Sequence, residues 1–134
     1  MKNEFYLNFE TMPKATAQMK RYDGRTGHYF KSKTLMQTER IFYASLVPHK
    51  PKQPSDRPIR LLVCLCFDVK GPKKLWGTYK TTRPDADNFC KALIDQMTKC
   101  GYWNDDAQIV DLHIIKRFAE KATIFIQMEE LDDD

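Results

Sequence analysis

Hydrophobic and polar positions follow two different periods along the chain. Residues 4–10, 59–69, 109–118 and 122–128 place apolar side chains at every second position, which is typical of β-strands. Residues 33–47 and the stretch from Asp85 or Asp87 to Cys100 repeat apolar side chains every three or four positions, which indicates helices. The order of these elements predicts an α/β fold, with a mixed β-sheet of about four strands packed with two main helices.

The strand at residues 59–69 has the strongest pattern in the chain. Ile59, Leu61, Val63, Leu65 and Phe67 line one face. Leu62, Cys64 and Cys66 make the other face apolar as well. A strand that is apolar on both faces is expected to be covered on both, so this pattern predicts a central strand.

The connecting segments are polar and often basic. Residues 14–33 hold Gly24 and Gly27 and read as a loop or an irregular hairpin, and residues 47–58 contain four prolines and read as a long turn. Residues 70–84 form a basic loop before the second helix, and a tight Ala-Glu-Lys turn joins the last two strands. We expect one domain over residues 1–134, in which residues 129–134 form an acidic tail with no assigned function.

The net charge of +4 conceals a division between the two parts of the chain. Residues 1–84 carry 17 Lys or Arg and 6 Asp or Glu, a balance of +11; residues 85–134 carry 5 and 12, a balance of −7, and the two sum to +4. This asymmetry favours a polyanionic partner. Since no apolar run approaches the roughly 18 residues of a membrane span and the start lacks a signal-like apolar region, we expect a cytoplasmic protein.

Four cysteines are scattered without a metal-binding spacing. No Cys-x-x-Cys occurs, and His28, His49 and His113 are not spaced as zinc ligands. The four thiols are therefore predicted to be buried and reduced.

Two acidic pairs flank the second helix: Asp85 with Asp87, and Asp105 with Asp106. Asp87, Lys91 and Asp95 also fall on one face of that helix. One interpretation is a solvated face with ion pairs, with Asp85 or Asp87 as a helix N-cap. The other is a site for Mg²⁺ or Mn²⁺, which prefer carboxylate oxygens. Because the helix spans about 20 Å, the spacing alone leaves open whether the two pairs meet.

The run RPDADNFCKALIDQM followed by GYWNDDAQIV resembles the signature of the RusA-type Holliday-junction resolvases, crossover-junction endodeoxyribonucleases often found in phages and prophages. In that signature Asp-x-Asp-Asn leads into a helix, Lys follows the second Asp by four residues, and Asp-Asp-x-Gln comes some twenty residues later. The matching positions are Asp85, Asp87, Asn88, Lys91, Asp105, Asp106 and Gln108. Pro84 departs from members that carry a basic residue before the first Asp, and Arg83 is the nearby substitute.

The resemblance implies a Mg²⁺-dependent endodeoxyribonuclease that resolves four-way DNA junctions by paired symmetric nicks. It implies metal-binding catalytic roles for Asp85, Asp87 and Asp106, an auxiliary acid at Asp105, and Lys91 near the scissile phosphate. It further implies that Mn²⁺ substitutes for Mg²⁺ and that the enzyme is a homodimer, matched to the two-fold symmetry of a junction. No membrane and no small-molecule substrate belong to this expectation.

Basic residues in two loops are the candidates for contacts with DNA phosphates. They are Lys14, Lys20, Arg21, Arg25 and Lys31 in the first loop, and Lys73, Lys74, Lys80 and Arg83 in the second. Tyr22, Tyr29, Phe30 and Trp76 lie among them and either stack on bases or pack on the sheet. Two alternatives remain beside the junction resolvase: a nuclease for other branched or flapped DNA, and a non-cleaving branched-DNA binding protein.

Overall fold

The computed structural model describes residues 2–15 and 20–132, without the side chains of Lys20 and Arg21. Six strands and two helices form the fold: β1 (Lys2–Phe9), β2 (Lys20–Asp23), β3 (His28–Lys31), α1 (Lys33–Leu46), β4 (Ile59–Asp68), α2 (Ala86–Cys100), β5 (Ile109–Ala119) and β6 (Ala122–Glu130). The predicted fold class is confirmed, since a mixed four-stranded sheet packs with two main helices. No helix within the described residues is long and apolar enough to cross a membrane.

The main sheet has the strand order β1-β6-β4-β5. β6 pairs antiparallel with both β1 and β4, whereas β4 and β5 are parallel and α2 forms the crossover between them. The predicted central position of β4 is therefore confirmed. The parallel pair also fixes the place of α2, which must run from the carboxyl end of β4 back to the amino end of β5.

One face of the sheet and the two helices enclose the core. Leu61, Val63 and Leu65 of β4 are fully buried, as are Ile124 and Ile126 of the neighbouring β6. α2 contributes Phe89, Cys90, Leu93, Met97 and Cys100, the stripe expected from its period, whereas Ala86 is half-exposed. Each large aliphatic side chain buried in this way stabilises the fold by about 1.5–3 kcal/mol.

The other face of the sheet is more open than its sequence predicts. Leu62, Cys64 and Cys66 are only half-buried, and Tyr6 of β1 is 59% exposed. The prediction that β4 is covered on both faces is wrong, because both helices pack on the same side. All four thiols are free, but only Cys90 and Cys100 are buried, so the prediction of buried thiols is wrong for the two on β4.

The first basic loop contains a hairpin, β2–β3, that forms its own two-stranded sheet. The Asp23 carboxylate accepts from the Arg25 backbone N–H at 2.9 Å, and Gly27 takes a φ of 73°, a conformation that favours glycine. At the other end of the chain, β6 extends to Glu130, two residues into the predicted acidic tail. Arg57 binds the Leu131 carbonyl and the Asp132 carboxylate, and Asp133 and Asp134 lie outside the described residues.

Candidate active site

The first acidic pair lies at the amino end of α2. Asp85 is the N-cap residue with extended backbone angles, and Asp87 lies in the first turn of the helix. The Asp85 side chain does not cap the helix; its Oδ2 accepts from the Asn88 side-chain amide at 3.2 Å. Both carboxylates are exposed, and none of the ion pairs among the described residues includes either of them. Their oxygens are therefore available to a ligand.

The second acidic pair lies in a short 3₁₀ turn, Asp106–Gln108, that leads into β5. Asp105 is its N-cap and accepts from the Ala107 N–H at 2.9 Å. Gln108 closes a reciprocal capping box, since its Oε1 accepts from the Asp105 N–H at 2.8 Å. Asp105 is thus used by the turn itself, whereas the Asp106 side chain points from the first turn and is exposed.

Gln108 ties this turn to the proline-rich segment after α1. Its Oε1 also accepts from the Asn104 N–H at 2.9 Å, and its Nε2 donates to the carbonyls of Ser55 and Arg57, both at 2.9 Å. One side chain therefore makes four hydrogen bonds that hold the backbone around Asp106. The resemblance singled out Gln108 as part of a motif, and the structure gives it this anchoring role.

The two acidic pairs do not meet within one chain. The fifteen residues of α2 separate them, which corresponds to about 22 Å along the helix axis at 1.5 Å per residue. Within residues 2–15 and 20–132, no group of three or more Asp, Glu, His or Cys side chains is placed to hold a metal ion. Asp85, Asp87 and Asp106 are therefore one pair and one distant carboxylate in a single copy.

Lys91 lies one turn beyond Asp87 on the exposed surface of α2, and Asp95 follows at the next turn with partial exposure. Among the described side chains, no ion pair joins Lys91 to a carboxylate. The interpretation of this face as a row of i,i+4 ion pairs is not supported. The Lys91 ammonium is free to contact an anion beside Asp87.

A lysine that sequence reasoning missed holds the chain just before Asp85. Lys116 of β5 donates from Nζ to the carbonyls of Thr82 and Pro84, at 2.8 and 2.7 Å. Residues 77–80 also pair with the end of β5. The Gly77 N–H donates to the Phe118 carbonyl at 2.8 Å, and the Phe118 N–H donates to the Thr78 carbonyl at 2.9 Å. A signal was available, because Lys116 alternates with Ile114 and Phe118 on the helix-facing side of β5.

The candidate DNA-binding cations divide into three groups. Lys14, Lys80 and Arg83 border one pocket next to Asp85. On the hairpin, Arg25 is exposed, whereas Lys31 donates to Glu39 Oε2 at 2.8 Å and is partly neutralised. Lys73 and Lys74 are exposed on a 3₁₀ turn of the second loop, and the side chains of Lys20 and Arg21 lie outside the described part of the chain.

The four candidate aromatic residues fall into an exposed group and a packed one. Tyr22, Tyr29 and Phe30 are exposed on the hairpin, with Tyr29 at 73%. Trp76 is half-buried and donates from Nε1 to the Val69 carbonyl at 3.1 Å, so it packs against the fold. Of these four, the three hairpin residues are therefore the ones available to stack on bases.

Exposed paired carboxylates beside unpaired cations, on a small α/β domain, are compatible with chemistry on phosphate esters. Residues 8–129 match the family described as Endodeoxyribonuclease RusA. The chain therefore belongs to the RusA endodeoxyribonuclease family, and its class of enzyme is a nuclease.

The names of individual relatives agree with this family assignment. A protein of Lactococcus phage r1t named crossover junction endodeoxyribonuclease rusA is 36% identical over 135 residues, which cover 98% of this chain and 100% of the relative. The proteins of that name from Escherichia coli K12 and Enterobacteria phage 82 are 53% identical over 34 residues, 25% of this chain and 28% of theirs. The similarity to the last two is thus high but local.

The donor set fits a hard divalent cation. Mg²⁺ in proteins usually takes one or two carboxylates and keeps several waters, and the exposed pair at Asp85 and Asp87 offers that arrangement. No soft ligand belongs to this pair, because the buried thiols of Cys90 and Cys100 line the core side of α2. Asp85 and Asp87 would hold the metal, and a third carboxylate would have to come from elsewhere.

Proposed function

We propose that this protein is a Mg²⁺-dependent endodeoxyribonuclease that resolves four-way DNA junctions by paired symmetric nicks. The observation that carries the proposal is the exposed Asp85–Asp87 pair, which is free of cation partners among the described residues, with Lys14, Lys80 and Arg83 lining the same pocket as Asp85. Membership of the RusA family, with a 36% identical relative named for crossover junctions, supports the substrate. One domain over residues 1–134 carries both binding and cleavage, and its place of action is the cytoplasm, where bacterial and phage DNA is found.

Each candidate residue has a distinct part in phosphodiester hydrolysis. A bound Mg²⁺, or Mn²⁺ in its place, supplies an activated water and neutralises charge on the reacting phosphate. Asp85 and Asp87 would hold that cation at the start of α2. Lys91, without a carboxylate partner in the described chain, donates to a non-bridging phosphate oxygen as charge builds up there. Asp105, expected as an auxiliary acid, supports the site by capping the turn from which Asp106 projects.

A homodimer would unite the carboxylates. Asp106 lies about 22 Å along α2 from Asp85 in one copy, so it can join the pair only if a second copy supplies it. Two-fold symmetry then makes two equivalent sites, each with Asp85 and Asp87 from one subunit and Asp106 from the other. Two sites match the two strands that a resolvase must cut.

The outer edge of β5 is the surface best suited to this dimer. Its carboxyl half is already paired with residues 77–80, and its amino half carries Val110 and Leu112 at 64% and 45% exposure. Antiparallel pairing of two such edges, centred near Leu112, would place Asp106 of one subunit opposite residue 118 of the other. Residue 118 borders the loop that precedes Asp85, so this pairing is compatible with a shared site.

DNA contacts follow from the exposed cations and aromatic residues. The cations bordering Asp85, together with Lys73 and Lys74, meet phosphates near the cut, and the hairpin extends the contact with Arg25 and Lys31. Lys20 and Arg21 belong to this proposal by sequence alone. Tyr22, Tyr29 and Phe30 stack on unpaired bases at the junction centre.

A nicking assay with synthetic substrates tests the proposal. A mobile four-way junction, a matched linear duplex and a flap are incubated with Mg²⁺ or with EDTA, using the parent protein and Asp87→Asn. Paired symmetric nicks in the junction alone, absent in EDTA and in the variant, are expected. Equal cutting of the flap would favour a nuclease for other branched DNA, and tight binding without cutting in any divalent metal would leave a binding protein.

A further inference from the structure

A pocket of about 530 Å³ opens between the carboxyl ends of β4 and β5 and the amino end of α2. Its walls come from residues 11–15, residues 67–69, the segment from Lys80 to Phe89, and Phe118. This volume lies in the range of small-molecule sites and admits a single nucleotide but not a duplex. The pocket shares Asp85 with the candidate metal site and extends away from it.

The interior of this pocket is mainly apolar. Phe67 and Phe89 contact each other edge to face, with ring centroids 5.4 Å apart, and Phe118 adds a third ring to the wall. Met12 and Ala15 on the opposite segment are buried and line the same space. Such a lining suits the flat, weakly polar surface of a nucleobase.

Three cations also line the pocket. Lys80 Nζ lies 5.3 and 5.0 Å from the ring centroids of Phe67 and Phe118, and it donates to the Thr82 hydroxyl at 2.7 Å. Burial, followed by the nearby charge of Lys116, lowers the pKa of Lys80, as expected of a cation that lacks an anionic partner. No ion pair among the described residues includes Lys80, Arg83 or Lys14, so all three remain available to a phosphate.

Asp68 provides a hydrogen-bond acceptor in the wall. Its Oδ1 accepts from the Met12 N–H at 3.2 Å, which fixes the carboxylate and leaves Oδ2 for a ligand. The Watson–Crick edge of an unstacked base carries N–H donors, and a carboxylate can accept from them. Asn88 also lines the pocket, but its amide nitrogen donates to Asp85.

We propose that this pocket receives one unstacked nucleotide of the bound DNA, next to the phosphate that is cut. Its base enters the apolar interior, its phosphate contacts Lys80 and Arg83, and Asp68 accepts an N–H of the base edge. Unstacking costs little at the centre of a four-way junction, where stacking is already interrupted. The inference rests on the proposed function, because it assumes that DNA lies at Asp85.

Fluorescence of 2-aminopurine tests the pocket. The base analogue is placed in turn at each position within a few nucleotides of the cut, in a junction bound by Asp87→Asn, which is expected to bind DNA without cutting it. A several-fold rise in fluorescence at one position is expected on binding. Thr11→Trp, which fills the pocket from an exposed position on its wall, removes this rise, whereas Thr34→Trp on the exposed surface of α1 leaves it unchanged. Thermal unfolding of both variants confirms that they are folded.

Cleavage by proteins with Asp87 intact separates the two proposals. With Asp87 intact, Thr11→Trp is expected to lower junction cleavage about tenfold. Normal junction cleavage with no 2-aminopurine response at any position would overturn the pocket and leave the junction nuclease in place. Absence of junction cleavage by the parent protein would instead overturn the proposed function.

Discussion

The anchoring of Asp106 by Gln108 gives the most direct link between fold stability and catalysis. In Gln108→Glu, the Oε1 acceptor that binds the N–H groups of Asn104 and Asp105 is retained. The two donated bonds to the carbonyls of Ser55 and Arg57 are lost, and a carboxylate oxygen faces those carbonyls instead. The substitution therefore changes one half of the anchor and adds one negative charge.

The structure sets the size of the effect. A hydrogen bond contributes about 0.5–1.5 kcal/mol net, so the loss of two at a half-exposed site lowers the free energy of unfolding by about 1–3 kcal/mol. For a chain of this size that corresponds to a fall in melting temperature of about 3–10 °C. Cleavage should fall further, by about 10- to 100-fold, because a displacement of about 1 Å at a catalytic group has effects of that order.

Urea unfolding, thermal unfolding and junction cleavage at a temperature where all proteins are folded measure these effects. Gln37→Glu, which adds the same charge on the exposed surface of α1, is the matched control and should match the parent protein in both stability and activity. If Gln108→Glu were as stable and as active as Gln37→Glu, the anchoring role of Gln108 would be refuted. If Gln108→Glu lost stability but kept full cleavage activity, the hydrogen bonds of Gln108 would support the fold without positioning Asp106 for catalysis.

Three further predictions concern other parts of the molecule. Lys116→Met removes the donor to the carbonyls before Asp85, so kcat for junction cleavage should fall about tenfold while junction affinity changes little. Equal losses in kcat and in junction affinity would contradict a positioning role for Lys116. Leu112→Lys places a charge on the exposed β5 edge, so sedimentation should show a shift from dimer to monomer, and an unchanged dimer would exclude that edge. Burial raises the pKa of Cys90 to about 12, so this thiol stays protonated in the folded protein and should react with a thiol reagent only on unfolding, after Cys64 and Cys66. Because the thiol of the unfolded chain ionises near pH 9, the free energy of unfolding should decline above that pH. A free energy of unfolding that stays constant above pH 9 would contradict the burial of Cys90.

Periodicity predicted the elements well where one face of an element is buried. α1 and α2 follow their apolar stripes within a residue or two, and β4 is central as expected. The error on β4 has a physical origin: Leu62, Cys64 and Cys66 are apolar, but α1 and α2 both pack on the opposite face. Apolar composition therefore indicated the strand correctly and its coverage incorrectly.

The sequence predicted the candidate site only in part, for a different reason. The spacing of Asp85, Asp87 and Asp106 identified the motif, but only the course of α2 shows that the third carboxylate lies at the far end of the helix. Alternation indicates which side of β5 Lys116 faces, but not its partners, because it binds backbone carbonyls 32 and 34 residues earlier and no side-chain motif records them. The pocket next to Asp85 is likewise assembled from segments that are distant in sequence.

Subunit mixing tests the shared site most directly. Asp87→Asn and Asp106→Asn are each prepared alone and also refolded together, and nicking of a four-way junction is measured. Each variant alone is expected to be inactive. A mixed dimer would combine both substitutions in one site and leave the other site intact, so the mixture should regain about a quarter of the wild-type sites and produce single nicks. A mixture as inactive as its components would contradict the shared site, and activity of either variant alone would contradict the role of its aspartate.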